Sequence, residues 1–116
     1  MYKFYNQNAE KQLRKAGFDV DSYEKECAPY IEVISGRRDA MESNDIGMYN
    51  YYMSSSQDKA KHASHDKACN GVKTLNSICR DHGFDLLFSG DESNRQEIGK
   101  FVCEFTGNSN LSDFVD

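Results

Sequence analysis

The chain has 116 residues, enough for one domain with a real core, and 38% apolar content with seven Phe and seven Tyr is too much for a disordered chain. Its net charge of −5 comes with no dense Lys/Arg stripe, which argues against strong nucleic-acid binding, and it is not acidic enough to argue for a mimic of DNA. No window approaches ~18 consecutive apolar residues, so no segment reads as membrane-spanning.

The opening "MYKFYNQNAEKQLRK" has no apolar stretch of the signal-peptide kind, so a soluble, cytoplasmic protein is expected. Tyr5, Ala9, Leu13 and Ala16 fall on one face of a first helix, which Gly17 ends. Asp21-x-x-Glu24 reads as an acidic capping box for a second helix. Its apolar face is Tyr23, Cys27, Tyr30, Ile31 and Ile34, and Pro29 inside it predicts a kink or a split. The turn formers at 43–45 end that tract.

A third tract runs from about 46 to 82. Ala68, Val72, Leu75, Ile78 and Cys79 repeat at helical spacing in its second half. Its first half, "MYNYYM" (48–53), is apolar or aromatic all round, and the "SSS" behind it offers Ser56 as a fresh N-cap, so two helices in line are expected. Gly83 closes the tract. In the loop after it, Leu86, Leu87 and Phe88 are expected to tuck into the core. Ser93-x-x-Gln96 then reads as a capping box for a last helix with the stripe Ile98, Phe101, Val102 and Phe105, ended by Gly107. The expected fold is an all-α, single-domain bundle of four to five helices over residues 1–107, with a loosely ordered tail over 108–116 in which Leu111 and Phe114 could dock.

Gly-Phe-Asp occurs twice, at 17–19 and 83–85, each time behind a helix. Gly at the C′ position with Phe packing back on the last turn is a helix stop with a hydrophobic latch, and it requires no ligand.

The chemistry-bearing residues are few. "HASHDKAC" sets His62, His65, Asp66 and Cys69 on adjoining helix faces, a set that could hold a transition metal. The more ordinary reading is a solvated helix face paired with nearby lysines. All three His lie within this tract, and neither H-E-x-x-H nor a His ahead of residue 62 is present. Cys27, Cys69, Cys79 and Cys103 have no C-x-x-C spacing and read as core thiols. No Walker loop, G-x-S-x-G or G-x-G-x-x-G occurs, so no enzymatic activity and no cofactor are expected.

Tyr and Met are favoured at protein interfaces. "MYNYYM" therefore either completes the core or covers a contact with a partner or a second copy, and Tyr49, Tyr51 and Tyr52 with Arg37 and Arg38 of "SGRRD" are the candidate contact residues.

His65-Asp66, Asn70, Asn76, Cys79, Gly83, Gly90-Asp91, Arg95 and "EIGKF" (97–101) together form a longer pattern. Over about residues 62–105 it resembles a class of small helical proteins carried by phages and prophages of Firmicutes. The resemblance marks Asn76, Asp91 and Arg95 as shared polar positions and brings no activity and no catalytic residues. It implies a phage-type accessory protein. Such a protein is expected to bind and modulate a host macromolecule, for instance as an inhibitor of a defence system such as CRISPR. The alternative is a small metal- or ligand-binding helical domain built on His62, His65 and Asp66.

Overall fold

Over its described residues the chain folds into five α-helices, α1 Gln7–Lys15, α2 Val20–Glu42, α3 Ile46–Tyr52, α4 Ser55–His82 and α5 Arg95–Phe105, followed by a 3-10 helix at Ser109–Phe114. This is a computed structural model that describes residues 7–115. Among the described residues there is no strand, and the all-α expectation holds. Tyr5 lies outside the described residues, as does the side chain of Ala9.

The two long helices, α2 and α4, run antiparallel and supply about half of the core. The register is set by specific bonds. The Tyr23 hydroxyl donates to the Ala68 carbonyl at 3.0 Å, and the Tyr30 N–H donates to the Ser64 hydroxyl at 3.1 Å. Helix α5 lays its stripe over both, so Ile98, Phe101, Val102 and Phe105 are all buried beside Tyr23, Tyr30, Val72 and Leu75. Tyr23 meets Phe105 edge-on at 5.0 Å, and Phe101 meets Phe88 of the preceding loop at 5.4 Å. Leu87 and Phe88 enter the core as expected, but Leu86 does not: it is 40% exposed.

Pro29 does not split α2. It has no N–H to offer the carbonyl four residues back, and its ring pushes that turn open. Ser64 of α4 repairs the gap: its hydroxyl accepts from the Tyr30 N–H and donates to the Glu26 carbonyl. A side chain from the neighbouring helix thus replaces one rung of the backbone ladder. Ser64 is buried for that reason, although nothing in its sequence surroundings distinguishes it.

The helix stops follow one rule. Phe18 N–H bonds the Leu13 carbonyl at 3.0 Å and Phe84 N–H bonds the Cys79 carbonyl at 2.8 Å, with Gly17 and Gly83 in the left-handed region. These are Schellman closures, and they account for both Gly-Phe-Asp repeats. Asn108 N–H to the Cys103 carbonyl and Asp45 N–H to the Ala40 carbonyl close α5 and α2 the same way, with Gly107 and Asn44 at the turn.

The starts differ from expectation. Asp19, the last residue of the first repeat, caps α2 by accepting from Ser22 N–H at 2.9 Å. Asp21 pairs with Arg14 instead. Asn94, not Ser93, caps α5 by accepting from Glu97 N–H at 3.1 Å. Helix α4 starts behind Ser54, two residues ahead of the expected Ser56 cap, with no side-chain cap bond. Beyond α5, Leu111 of the 3-10 helix is buried and Phe114 is half-buried.

Candidate interaction surface and the buried histidine

Helix α3 is short and carries no charged residue in IGMYNYY. Asp45 starts it by accepting from Met48 N–H at 3.0 Å. It then folds against the end of α2, and Tyr52 decides how. The Tyr52 ring lies on Gly36, where a Cβ would overlap it. The Tyr52 carbonyl accepts from Arg37 Nε at 3.0 Å, and the same guanidinium reaches Asp58 of α4 at 3.4 Å. Arg37 therefore ties α2, α3 and α4 together and is mostly covered. Arg38 folds onto Asp39 at 2.9 Å.

The five candidate contact residues consequently divide. Tyr49 and Tyr52 are half-buried, while Tyr51 is 54% exposed, with its hydroxyl accepting from Gln57 at 3.1 Å. No residue of α3 is fully buried. Around it, Ile46 is 75% exposed and Met41 56%, with Met48 and Met53 close to half. Five of the six exposed large apolar side chains among the described residues therefore sit at this one end of the molecule. Scattered exposed apolar residues are normal, but a cluster is the mark of a contact surface. Ile46 and Met41 escaped the aromatic signal that picks out the tyrosines. The only clue in the sequence is that both flank the turn at 43–45.

The His-Asp-Cys set on α4 is pulled apart. His62 is exposed and faces Asp58 at 3.3 Å. Cys69 is half-buried against the core. His65 turns inward, 7% exposed, and packs on the Tyr30 ring at 4.9 Å. Its Nδ1 lies 3.2 Å from Arg95 of α5, and Asp66 holds the other arm of that guanidinium at 2.7 Å. Arginine has no lone pair to offer, so Nδ1 must accept, and Nε2 must carry the proton. Nε2 is buried with no hydrogen-bond partner among the described residues. Burial, then the Arg95 charge, pushes the His65 pKa down, and the Arg95 bond holds Asp66 below the ordinary carboxylate range. Among the described residues no three His, Cys, Asp or Glu side chains are placed to share a metal ion. Arg95 puts a fixed positive charge where a metal would need to sit between His65 and Asp66.

The remaining shared polar positions also hold the structure together. Asn76 is buried and donates to the Phe88 carbonyl at 3.0 Å and to Glu92 at 3.2 Å. Arg80 meets the same Glu92 oxygen at 2.8 Å. Asp91 accepts from the Ser93 N–H and hydroxyl, and Glu97 reaches back to the Asp91 N–H at 2.9 Å. Asn76 and Arg95 thus fasten the 83–94 loop and the start of α5 onto α4, while Asp91 braces the loop on itself and on Glu97 of α5.

Burial pushes the Cys27 and Cys103 thiols up to about 12 and raises Cys69 and Cys79 as well. That is opposite to the shift that activates a cysteine nucleophile.

No protein-family model matches the chain, and neither a curated protein nor a solved structure matches it. No described helix is long and apolar enough to cross a membrane.

Proposed function

We propose that this chain is a non-enzymatic, phage-type accessory protein that docks on a host macromolecule through α3 and the end of α2, in the host cytoplasm, and so modulates that partner. A component of a defence system such as CRISPR is the class of target that the phage resemblance suggests. One observation carries the reading: an uncharged helix with no fully buried residue gathers Ile46, Met48, Tyr51 and Met53 around itself, with Met41 beside it. An apolar cluster of this kind costs solubility and contributes nothing to the main core, so retaining it is explained by a contact that covers it. The alternative, a metal site on His62, His65, Asp66 and Cys69, draws no support from the geometry, because Arg95 occupies the bonding positions of two of the four.

The test is complex formation with host protein at defined stoichiometry, comparing the wild-type chain with Ile46→Ser/Tyr51→Ser. Both side chains are largely exposed, so the variant keeps its fold. The proposal expects the complex to be lost. An undiminished complex contradicts it.

A further inference from the structure

Beside α3 runs a groove of about 310 Å³, lined by Ala40, Met41, Asn44, Asp45, Ile46 and Tyr49. It is open to solvent and at the low end for a metabolite pocket, but it suits one or two apolar side chains presented by a larger partner. Its rim is acidic. Asp39, Glu42 and Asp45 are all exposed. Arg38 meets Asp39 at 2.9 Å, while one Asp45 oxygen accepts from the Met48 N–H at 3.0 Å. Glu42 makes no ion pair among the described residues.

The placement also runs against helix electrostatics. The last turn of α2 contains no basic residue and carries both Asp39 and Glu42 at the negative end of the helix dipole. Arg38 offsets Asp39, while Glu42 and Asp45 have no ion-pair partner among the described residues and leave this edge of the groove acidic. Local rules broken in this way concentrate where a surface is used.

We infer that the groove receives a basic amphipathic segment of the partner protein, with an apolar side chain between Met41 and Ile46 and a Lys or Arg on each flank reaching Glu42 and Asp45. The inference rests on the reading of α3 as a docking surface and specifies the chemistry of what docks. A second copy of this chain fits worse, since a two-fold contact through this groove would bring two acidic edges together. Nucleic acid and anionic membrane are repelled by the same charges.

The experiment uses two synthetic helical peptides with the same leucine stripe, one flanked by lysines and one by glutamates, titrated against the full chain by fluorescence anisotropy. The lysine peptide is expected to bind about tenfold tighter, with the advantage shrinking as salt rises. Ile46→Ser is expected to abolish binding, and Glu42→Lys to remove the preference for lysine. Both substitutions are at exposed positions, and a melting curve confirms the fold. Equal binding of the two peptides, or lysine-peptide binding that survives Ile46→Ser, overturns the inference. If neither peptide binds while the host complex still depends on Ile46, the basic segment is wrong and the docking surface stands. If the host complex ignores Ile46, the docking surface itself falls.

Discussion

Arg95 donates to His65 across the α4–α5 contact at 3.2 Å, and this bond fixes the tautomer of the most buried imidazole among the described residues. A proton on Nδ1 would remove the acceptor and place a second cation beside the guanidinium, with Lys61 also close by in the same helix. Asp66 on α4 offsets only part of that charge, and Tyr30 from α2 contributes a ring face without a compensating acid.

The pH dependence follows in sign. His65 has a folded-state pKa below its unfolded value, so the unfolded chain binds more protons below about pH 6.5. Its contribution to stability is complete above that value and is lost as the pH falls toward the depressed folded pKa. Asp66, Asp91 and Glu92 also titrate low in the fold, but their unfolded carboxyls are half-protonated only near about pH 4 to 4.5, so most of their contribution is lost below about pH 5. Urea midpoints measured from pH 7 to 5 should therefore fall for the wild type and stay nearly flat for His65→Gln, which accepts from Arg95 without titrating. Equal slopes would remove His65 from the account.

Ser64 and Pro29 should be energetically coupled. Ser64→Ala leaves the Tyr30 N–H and the Glu26 carbonyl without their bridge, an expected loss of about 1–3 kcal/mol by chemical denaturation. Pro29→Ala lets α2 close its own ladder, so Ser64→Ala should cost less in that background. Strict additivity in the double-mutant cycle would contradict the bridge.

Gly36 separates packing from propensity. Gly→Ala inside a helix normally stabilises by roughly 1 kcal/mol. At Gly36 the new Cβ would strike the Tyr52 ring and lift α3 from α2. The expected result is a lower melting temperature and faster proteolysis within residues 43–55. A more stable protein would show that α3 is not seated there.

Asn76 should control the 83–94 loop. Asn76→Ala deletes donors to the Phe88 carbonyl and Glu92, and about 1–3 kcal/mol is expected to be lost, with faster hydrogen exchange concentrated in that loop. Asp85→Ala, at an exposed loop position, serves as the comparison and should leave exchange unchanged.

The helices and most of the core were legible because their signals are local. The stripe Ile98, Phe101, Val102, Phe105 and the Gly-Phe-Asp stops depend on spacing within one turn or two. Caps were displaced by one or two residues: Asp19, not Asp21, takes the Ser22 N–H, and Asn94, not Ser93, takes the Glu97 N–H. The tertiary pairings were not legible. Nothing near His65 in the chain announces Arg95, thirty residues on, and nothing near Pro29 announces Ser64. The tyrosine-rich stretch pointed to the correct end of the molecule for exposed apolar surface, yet the most exposed side chain there is Ile46. Which side of α3 faces α2 was settled by the missing Cβ of Gly36, a feature of shape that composition does not carry.

On the proposed function, α3 and the end of α2 form the working surface. Hydrogen exchange of the full chain, alone and saturated with its purified host partner, tests it most directly. New protection is expected only over about residues 39–53, with the His65–Arg95 contact and the 83–94 loop unchanged. Protection that leaves residues 39–53 untouched and falls on the α4–α5 face would contradict it.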